Sequence, residues 1–181
     1  MAQDNEFWRK IYRPETKEEL MEAYSEWAED YDSDLDENYG YVAPKLTARA
    51  LTRVLGDKNA RILDAGAGTG LVGEVLHEMG YRNLDALDFS LEMLEEAEKK
   101  GVYNKLMHVD LNKPLDMDDD AYDAVICVGT FTYGHVKPAA LNELIRITRP
   151  GGYITFTVRD GAYEEHGYRG KMLRLETDGA C

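Results

Sequence analysis

The segment Arg61-Ile-Leu-Asp-Ala-Gly-Ala-Gly-Thr-Gly70 constrains this chain more than any other: a short apolar run passes through an acidic residue into alternating glycines. A run of that length bounded by glycines reads as a buried strand, and the glycines let the backbone turn sharply and approach a ligand before a helix opens at Leu71. A dinucleotide-binding loop with glycines at 66 and 68 would carry its third glycine at position 71, which is Leu71. The Asp64 carboxylate would also oppose a pyrophosphate, so a nicotinamide oxidoreductase is disfavoured.

Beyond Asp57 the alternation repeats. Apolar runs at Arg61–Ala65, Leu84–Asp88, Lys105–Val109, Asp123–Val128 and Tyr153–Val158 are expected strands, with helices at Leu71–Met79, Leu91–Lys100 and Pro138–Thr148. Right-handed crossovers between such units build an α/β fold with a doubly wound parallel sheet. The turn Pro150-Gly151-Gly152 is expected to stop the last helix and start the fifth strand. At 181 residues one domain is expected: an N-terminal helical lid region over 1–56, a core over 57–160 and a helical tail over 161–181. In the first region Leu20, Tyr24, Trp27 and Tyr31 share one helical face, which either docks on the sheet or closes over a ligand with its rings inward.

Lys and Arg number 21 against 35 Asp and Glu, a formal net charge of −14 that repels phosphate backbones and disfavours nucleic acid. The chain starts without a secretory signal, and its most apolar run, Ala124–Phe131, is too short to span a bilayer. A cytoplasmic protein with no membrane partner is therefore expected. Cys127 reads as a buried free thiol and Cys181 is terminal, so no disulfide framework is expected. His77, His108, His135 and His166 form no pair with ligand spacing, and Asp116–Asp120 lacks the glycine and distal glutamate of a calcium loop and reads as a solvated turn. No metal is expected.

Three acidic residues fall at the C-terminal ends of successive expected strands, where open α/β sheets bind ligands. Asp64 suits the ammonium of an amino-acid moiety, or else caps the turn by accepting backbone N–H groups. Asp88 lies near the ~20-residue offset at which a carboxylate grips a ribose diol. It would otherwise cap the helix near Leu91, a duty Ser90 can take instead. Asp110 either accepts from an exocyclic amine or is a surface aspartate. The stretch Gly129–His135 leaving the fourth strand is the expected substrate-facing wall, with His135 as a base where a proton leaves, or else as a solvated side chain.

Taken together, these segments resemble the class I methyltransferases that use S-adenosylmethionine. Ile62–Gly70 resembles that family's first motif; Leu87–Ser90 with Met93 and Leu94 the second; Val109–Leu111 the third; Tyr122–Val125 the fourth; and Arg149–Gly152 the turn before the fifth strand. The Trp27-Ala28 and Tyr31-Asp32 pairs are similar to those of the small methyltransferases related to the Williams-Beuren region methyltransferase-like protein. The resemblance implies a Rossmann-like sheet of strand order 3-2-1-4-5 and S-adenosyl-L-methionine as cofactor. It implies that Asp64, Gly66 and Gly68 line the methionine part and Asp88 the ribose, while Phe89, Asp110 and Leu111 surround adenine, with Met93 a further cofactor-binding residue. Tyr24, Trp27 and Tyr31 would cover the cofactor, Gly129 and Thr130 would flank its reactive end, and Tyr31 and His135 become the candidate catalytic side chains.

The usual continuation of this family, a helix and an antiparallel strand pair, is replaced here by one expected polar helix, Tyr163–Glu176. The fifth strand is then left with an open edge, so a homodimer through that edge, aggregation or reduced stability is expected. The implied activity is methyl transfer to a small-molecule acceptor; the alternative is a catalytically silent or partner-dependent cofactor-binding module.

Overall fold

The computed structural model describes residue 11 and residues 16–34, 40–132 and 136–179. Its elements run α1 (Lys17–Trp27), α2 (Ala43–Val54), β1 (Ile62–Ala65), α3 (Leu71–Glu78), β2 (Leu84–Asp88), α4 (Leu91–Lys99), β3 (Lys105–His108), β4 (Tyr122–Phe131), α5 (Ala140–Ile147), β5 (Thr148–Val158), α6 (Asp160–Glu165) and α7 (Tyr168–Thr177). The strands form one five-stranded parallel sheet in the order β3-β2-β1-β4-β5, as the crossover rule and the family resemblance imply. Every residue of β1 is buried, which is why this central strand reads as an unbroken apolar run rather than an alternating one.

Both faces of the sheet are covered. On one, Ala48, Leu51 and Leu55 of the α2 segment pack with Ile62, Leu76, Ala124 and Ile126. On the other, Leu63, Val125 and Cys127 pack with Leu141 and Leu144 of α5 and with Ala162, Tyr168 and Leu175 of the C-terminal helices. Helix α2 was not foreseen. Its buried face holds Pro44, Thr47, Ala48 and Leu51, so its inner stripe shows few large apolar residues. Region 1–56 is thus not wholly a lid, because its last helix belongs to the core.

Other boundaries differ from expectation: strand β4 runs on to Phe131, past the expected end at Val128, so Gly129 and Thr130 lie within it. Strand β5 already pairs at Thr148, opposite Tyr122, and pairs again at Tyr153, opposite Ala124. The Pro150-Gly151-Gly152 turn is therefore a bulge inside the strand, not its start. A Cβ on Gly152 would lie 2.6 Å from the Asp123 carbonyl oxygen, so the bulge requires glycine there. The Tyr163–Glu176 stretch is not one helix but parts of α6 and α7, broken at Gly167, whose φ of 80° ends the first. Tyr168 is fully buried, its ring 5.3 Å from Phe131, so these helices close the sheet face beside β5. The acidic run ahead of β4 is a turn, as expected, with Asp116, Asp118, Asp119 and Asp120 exposed.

Asp85 in β2 is a buried carboxylate far from the glycine loop. It accepts from Arg61 Nη2 at 2.9 Å and from the Tyr122 hydroxyl at 3.0 Å. A buried charge paired in this way is a structural fixture.

Candidate functional site

Strands β1, β2 and β4 all end at the same rim of the sheet, and the glycine loop crosses that rim. Gly66 and Ala67 donate their N–H groups to the Leu87 carbonyl, at 2.8 and 3.0 Å, which ties the loop to the end of β2. A φ of 76° at Gly66 admits glycine readily and other residues at a cost. A cavity opens over the loop, and Gly66, Gly68, Asp88, Phe89, Met93, Asp110, Leu111, Gly129 and Thr130 all contribute to its wall.

Asp88 is its main polar group. One carboxylate oxygen accepts from the Gly68 N–H at 2.8 Å and the other from Ser90 N–H at 2.9 Å. The helix-cap alternative is resolved by Ser90, whose hydroxyl accepts from Met93 N–H at 3.2 Å and starts α4. Burial pushes the Asp88 carboxyl above the usual range, opposed by those backbone donors. Asp110 lines the cavity too, one of its oxygens holding the Asn112 N–H at 3.0 Å. Phe89 lies against His108, ring centroids 5.7 Å apart.

The aromatic stripe divides. Leu20, Tyr24 and Tyr31 reach the cavity, with Met21 beside them. Trp27 is absent from that wall; it is buried among Ile11, Leu20 and Ala23, and its indole N–H donates to Asp34 at 2.8 Å. Its ring meets the Tyr31 ring edge to face, centroids 4.5 Å apart, so it braces Tyr31 from behind. Burial, then the neighbouring Tyr24, Tyr41, Asp88 and Asp32, hold the Tyr31 hydroxyl well above its ordinary value. The Tyr31 hydroxyl therefore keeps its proton. His135 lies outside the described residues. Among the described residues no group of His, Cys, Asp or Glu could hold a metal ion.

Asp64 sits beneath the loop, not in the cavity wall. Its Oδ2 accepts from the Tyr103 hydroxyl at 2.6 Å, while Oδ1 is buried with no partner. Burial raises its carboxyl to about 7, against the lowering effect of the Tyr103 hydrogen bond. Thr132 Oγ1, just past the end of β4, is the other buried side-chain oxygen without a partner among the described residues. The sequence reading missed Tyr103 and Asp32. Tyr103 also accepts from Gly73 N–H at 3.1 Å, and Asp32 accepts from the Thr69 hydroxyl and from Lys100 Nζ at 2.6 Å. These contacts clamp the lid segment and α3 to the glycine loop, and only the paired charges at Lys100, Glu74 and Asp32 could have hinted at them. Tyr103→Phe is expected to cost about 1–3 kcal/mol of stability by stranding both Oδ2 and the Gly73 N–H. Losing that bond should move the Asp64 titration above about 7, read from thermal melts across pH. Unchanged melts and titration would show the hydroxyl to be idle.

A family model described as a methyltransferase domain matches residues 63–156, which covers all of the strands except the first residue of β1 and the last two of β5. The chain belongs to the class I S-adenosylmethionine-dependent methyltransferases. The human methyltransferase-like protein 27 is 39% identical over 139 residues, covering 75% of this chain and 56% of that protein. A malonyl-[acyl-carrier protein] O-methyltransferase of Pectobacterium atrosepticum is 36% identical over 118 residues, 65% of this chain and 46% of the relative. The chain thus spans about half the length of these relatives. A TehB-like SAM-dependent methyltransferase of Corynebacterium glutamicum superposes with TM-score 0.68 at 19% identity, over 85% of this chain and 83% of that one, which shows the shared fold.

The residues fit the family's cofactor, S-adenosylmethionine. Carboxylates at the strand ends suit a ligand bearing an ammonium, a diol and an amine, and Met93 and Leu111 offer apolar walls for a flat ring. The orphaned Oδ1 of Asp64 is a buried acceptor without a donor at the base of the loop. A Cβ on Gly66 would fall 2.2 Å from Thr130 Oγ1, so the loop has no room for a side chain where a ligand would press.

Proposed function

We propose that the chain binds S-adenosylmethionine in the cavity at the strand ends and catalyses methyl transfer to a small-molecule acceptor. The observation that carries this is the meeting of Asp88, Asp110, the Gly66–Gly68 backbone and the Tyr24–Tyr31 lid on one cavity. When bound, the cofactor supplies an electrophilic methyl group on a sulfonium. Such a displacement needs alignment and exclusion of water more than acid–base machinery. Asp88, held by Gly68 and Ser90, is placed to accept ribose hydroxyls, and Asp110 to accept the adenine amine. Phe89, Met93 and Leu111 enclose the ring. Asp64 attracts the ammonium through Oδ1, while Tyr24 and Tyr31, braced by Trp27, keep water out. Gly129 and Thr130 border the acceptor side, and His135 takes a proton where the acceptor carries one.

The charge of −14 supports a small acceptor over nucleic acid. Calorimetry should show S-adenosylmethionine or its demethylated product bound in preference to NAD. Asp88→Ala should weaken binding by about 1–3 kcal/mol with the fold intact. Tighter NAD binding, or an unchanged dissociation constant in the variant, would remove the basis for the proposal. A labelled-methyl screen over metabolite extracts then seeks the acceptor. Binding without any turnover would favour the second reading, a silent or partner-dependent module.

The outer edge of β5 pairs with no strand among the described residues, although α6 and α7 cover one face beside it. This open edge supports self-association of the chain as given. Light scattering tests it, and a monodisperse monomer would refute it.

A further inference from the structure

The outward face of α2 carries two parallel stripes. Val42, Leu46, Ala50 and Val54 recur at four-residue steps, and so do Lys45, Arg49 and Arg53 beside them. All seven are exposed. Val42, Leu46 and Val54 are 58%, 57% and 52% exposed, half of the large apolar side chains so exposed in the described structure. Scattered single apolar residues on a surface are ordinary, but an aligned row about 18 Å long on one helix is a contact patch.

The cations beside it are unpaired. The chain has 35 acidic residues, yet no carboxylate among the described residues pairs with Lys45, Arg49 or Arg53. Elsewhere among the described residues Arg61, Lys99, Lys100, Arg146 and Arg149 are bound to carboxylates while cations such as Lys105 and Lys113 are not, so what sets this row apart is its alignment beside the apolar one. A free basic row flanking an apolar row is complementary to a helix with acidic and apolar rows at the same spacing, since ridges of four-residue steps interlock between helices.

We propose that the outward face of α2 docks a partner protein through an acidic amphipathic helix. The position of the face gives the docking a consequence. Helix α2 follows directly on Tyr41, whose hydroxyl lies beside Gly129, 2.8 Å from where a Cβ on that glycine would stand, and Gly129 borders the cavity. A partner lying along α2 therefore ends at the acceptor side of the site. An anionic membrane is a poorer fit, because a plane meets a whole side of a molecule of charge −14, whereas a helix meets only the local row within one screening length of about 8 Å. A second copy through the same face would set the two basic rows against each other. The proposal does not rest on the transfer chemistry.

The test uses the full chain and a fluorescent synthetic peptide of about four helical turns, with leucine and glutamate rows at four-residue spacing. Anisotropy should show saturable binding that weakens as salt rises. Reversing the row (K45E, R49E and R53E together) should lower affinity about tenfold or more, since three exposed attractions become repulsions. Leu46→Ser should weaken binding while leaving the charges in place. Both variants should keep the melting temperature and the S-adenosylmethionine affinity of the parent, which separates failure of docking from failure of the fold or of the cofactor site. The proposal is overturned if the reversed row binds the peptide as tightly as the parent. It is equally overturned if a scrambled peptide of the same composition binds as well, or if phosphatidylserine vesicles capture the chain while the peptide does not. Self-association abolished by the reversed row would overturn it in favour of a second copy.

Discussion

Asp64→Asn should make the ligand-free chain more stable above neutral pH and flatten its stability profile. In the folded chain burial raises the Asp64 carboxyl from 3.8 to about 7. A raised carboxyl favours the protonated form, so folding binds a proton between those values. Below about 3.8 the group is neutral in both states and costs nothing; as pH climbs towards 7 the unfolded chain ionises first and stability falls; above 7 the loss is complete. The size of the shift corresponds to about 4 kcal/mol at full loss. Asparagine occupies the same space without the charge, so melts of the variant should lack that decline. The proposed contact between Asp64 Oδ1 and the ammonium of S-adenosylmethionine would reverse the preference, because a cation favours ionised Asp64. The cofactor's affinity for the parent should therefore rise with pH up to about 7 and level off, and the variant should lose that rise. A parent and an Asn variant with parallel profiles, in melts and in calorimetry, would mean that Asp64 is already satisfied in both states.

Gly66→Ala should abolish measurable cofactor binding and lower stability by about 1–3 kcal/mol. Two costs combine. The φ of 76° is a left-handed conformation that a Cβ disfavours, and the new methyl would lie 2.2 Å from Thr130 Oγ1 and 2.8 Å from its Cγ2. Thr130 must turn away, losing its 3.3 Å hydrogen bond to the Gly66 carbonyl and moving part of the cavity wall. Thr130→Gly in the same chain should recover part of the stability by clearing the overlap, but not the binding, because the methyl still occupies the ligand's approach to the loop. Recovery of both would show that Gly66 matters only for packing. Gly68→Ala is the internal comparison: it has a positive φ of 55° but open space around it, so it should cost less stability.

The strands and part of the cavity wall were legible because their causes are local. A buried parallel strand announces itself as an apolar run, and a glycine loop followed by a helix needs only neighbouring residues to be recognised, so Gly66, Gly68, Asp88 and Asp110 could be placed at the strand ends from the chain alone, and Leu111 only from the family resemblance. Trp27 and Asp64 were not placed so well. Helical spacing puts Trp27 on the same face as Tyr24 and Tyr31, but a wide face has a centre and a flank, and Trp27 falls on the flank that packs inward on Ile11 and Ala23. Asp64 belongs to the loop in sequence, yet it turns under the loop to meet Tyr103.

The amino-acid sequence by itself determined the α/β class and the parallel sense of the strands, since periodicity and crossover handedness leave little freedom, and the resemblance to the methyltransferase family supplied the strand order. Only the tertiary structure decided how that rim is held. Tyr103 meets Asp64 across 39 residues of chain and Asp32 meets Thr69 across 37, pairings that no local pattern encodes. It likewise decided that α2 would turn a narrow inner face to the sheet and leave its apolar and basic rows outside. Such contacts are settled by which surfaces the packed sheet brings together, because side chains far apart in sequence acquire partners only once the core has closed.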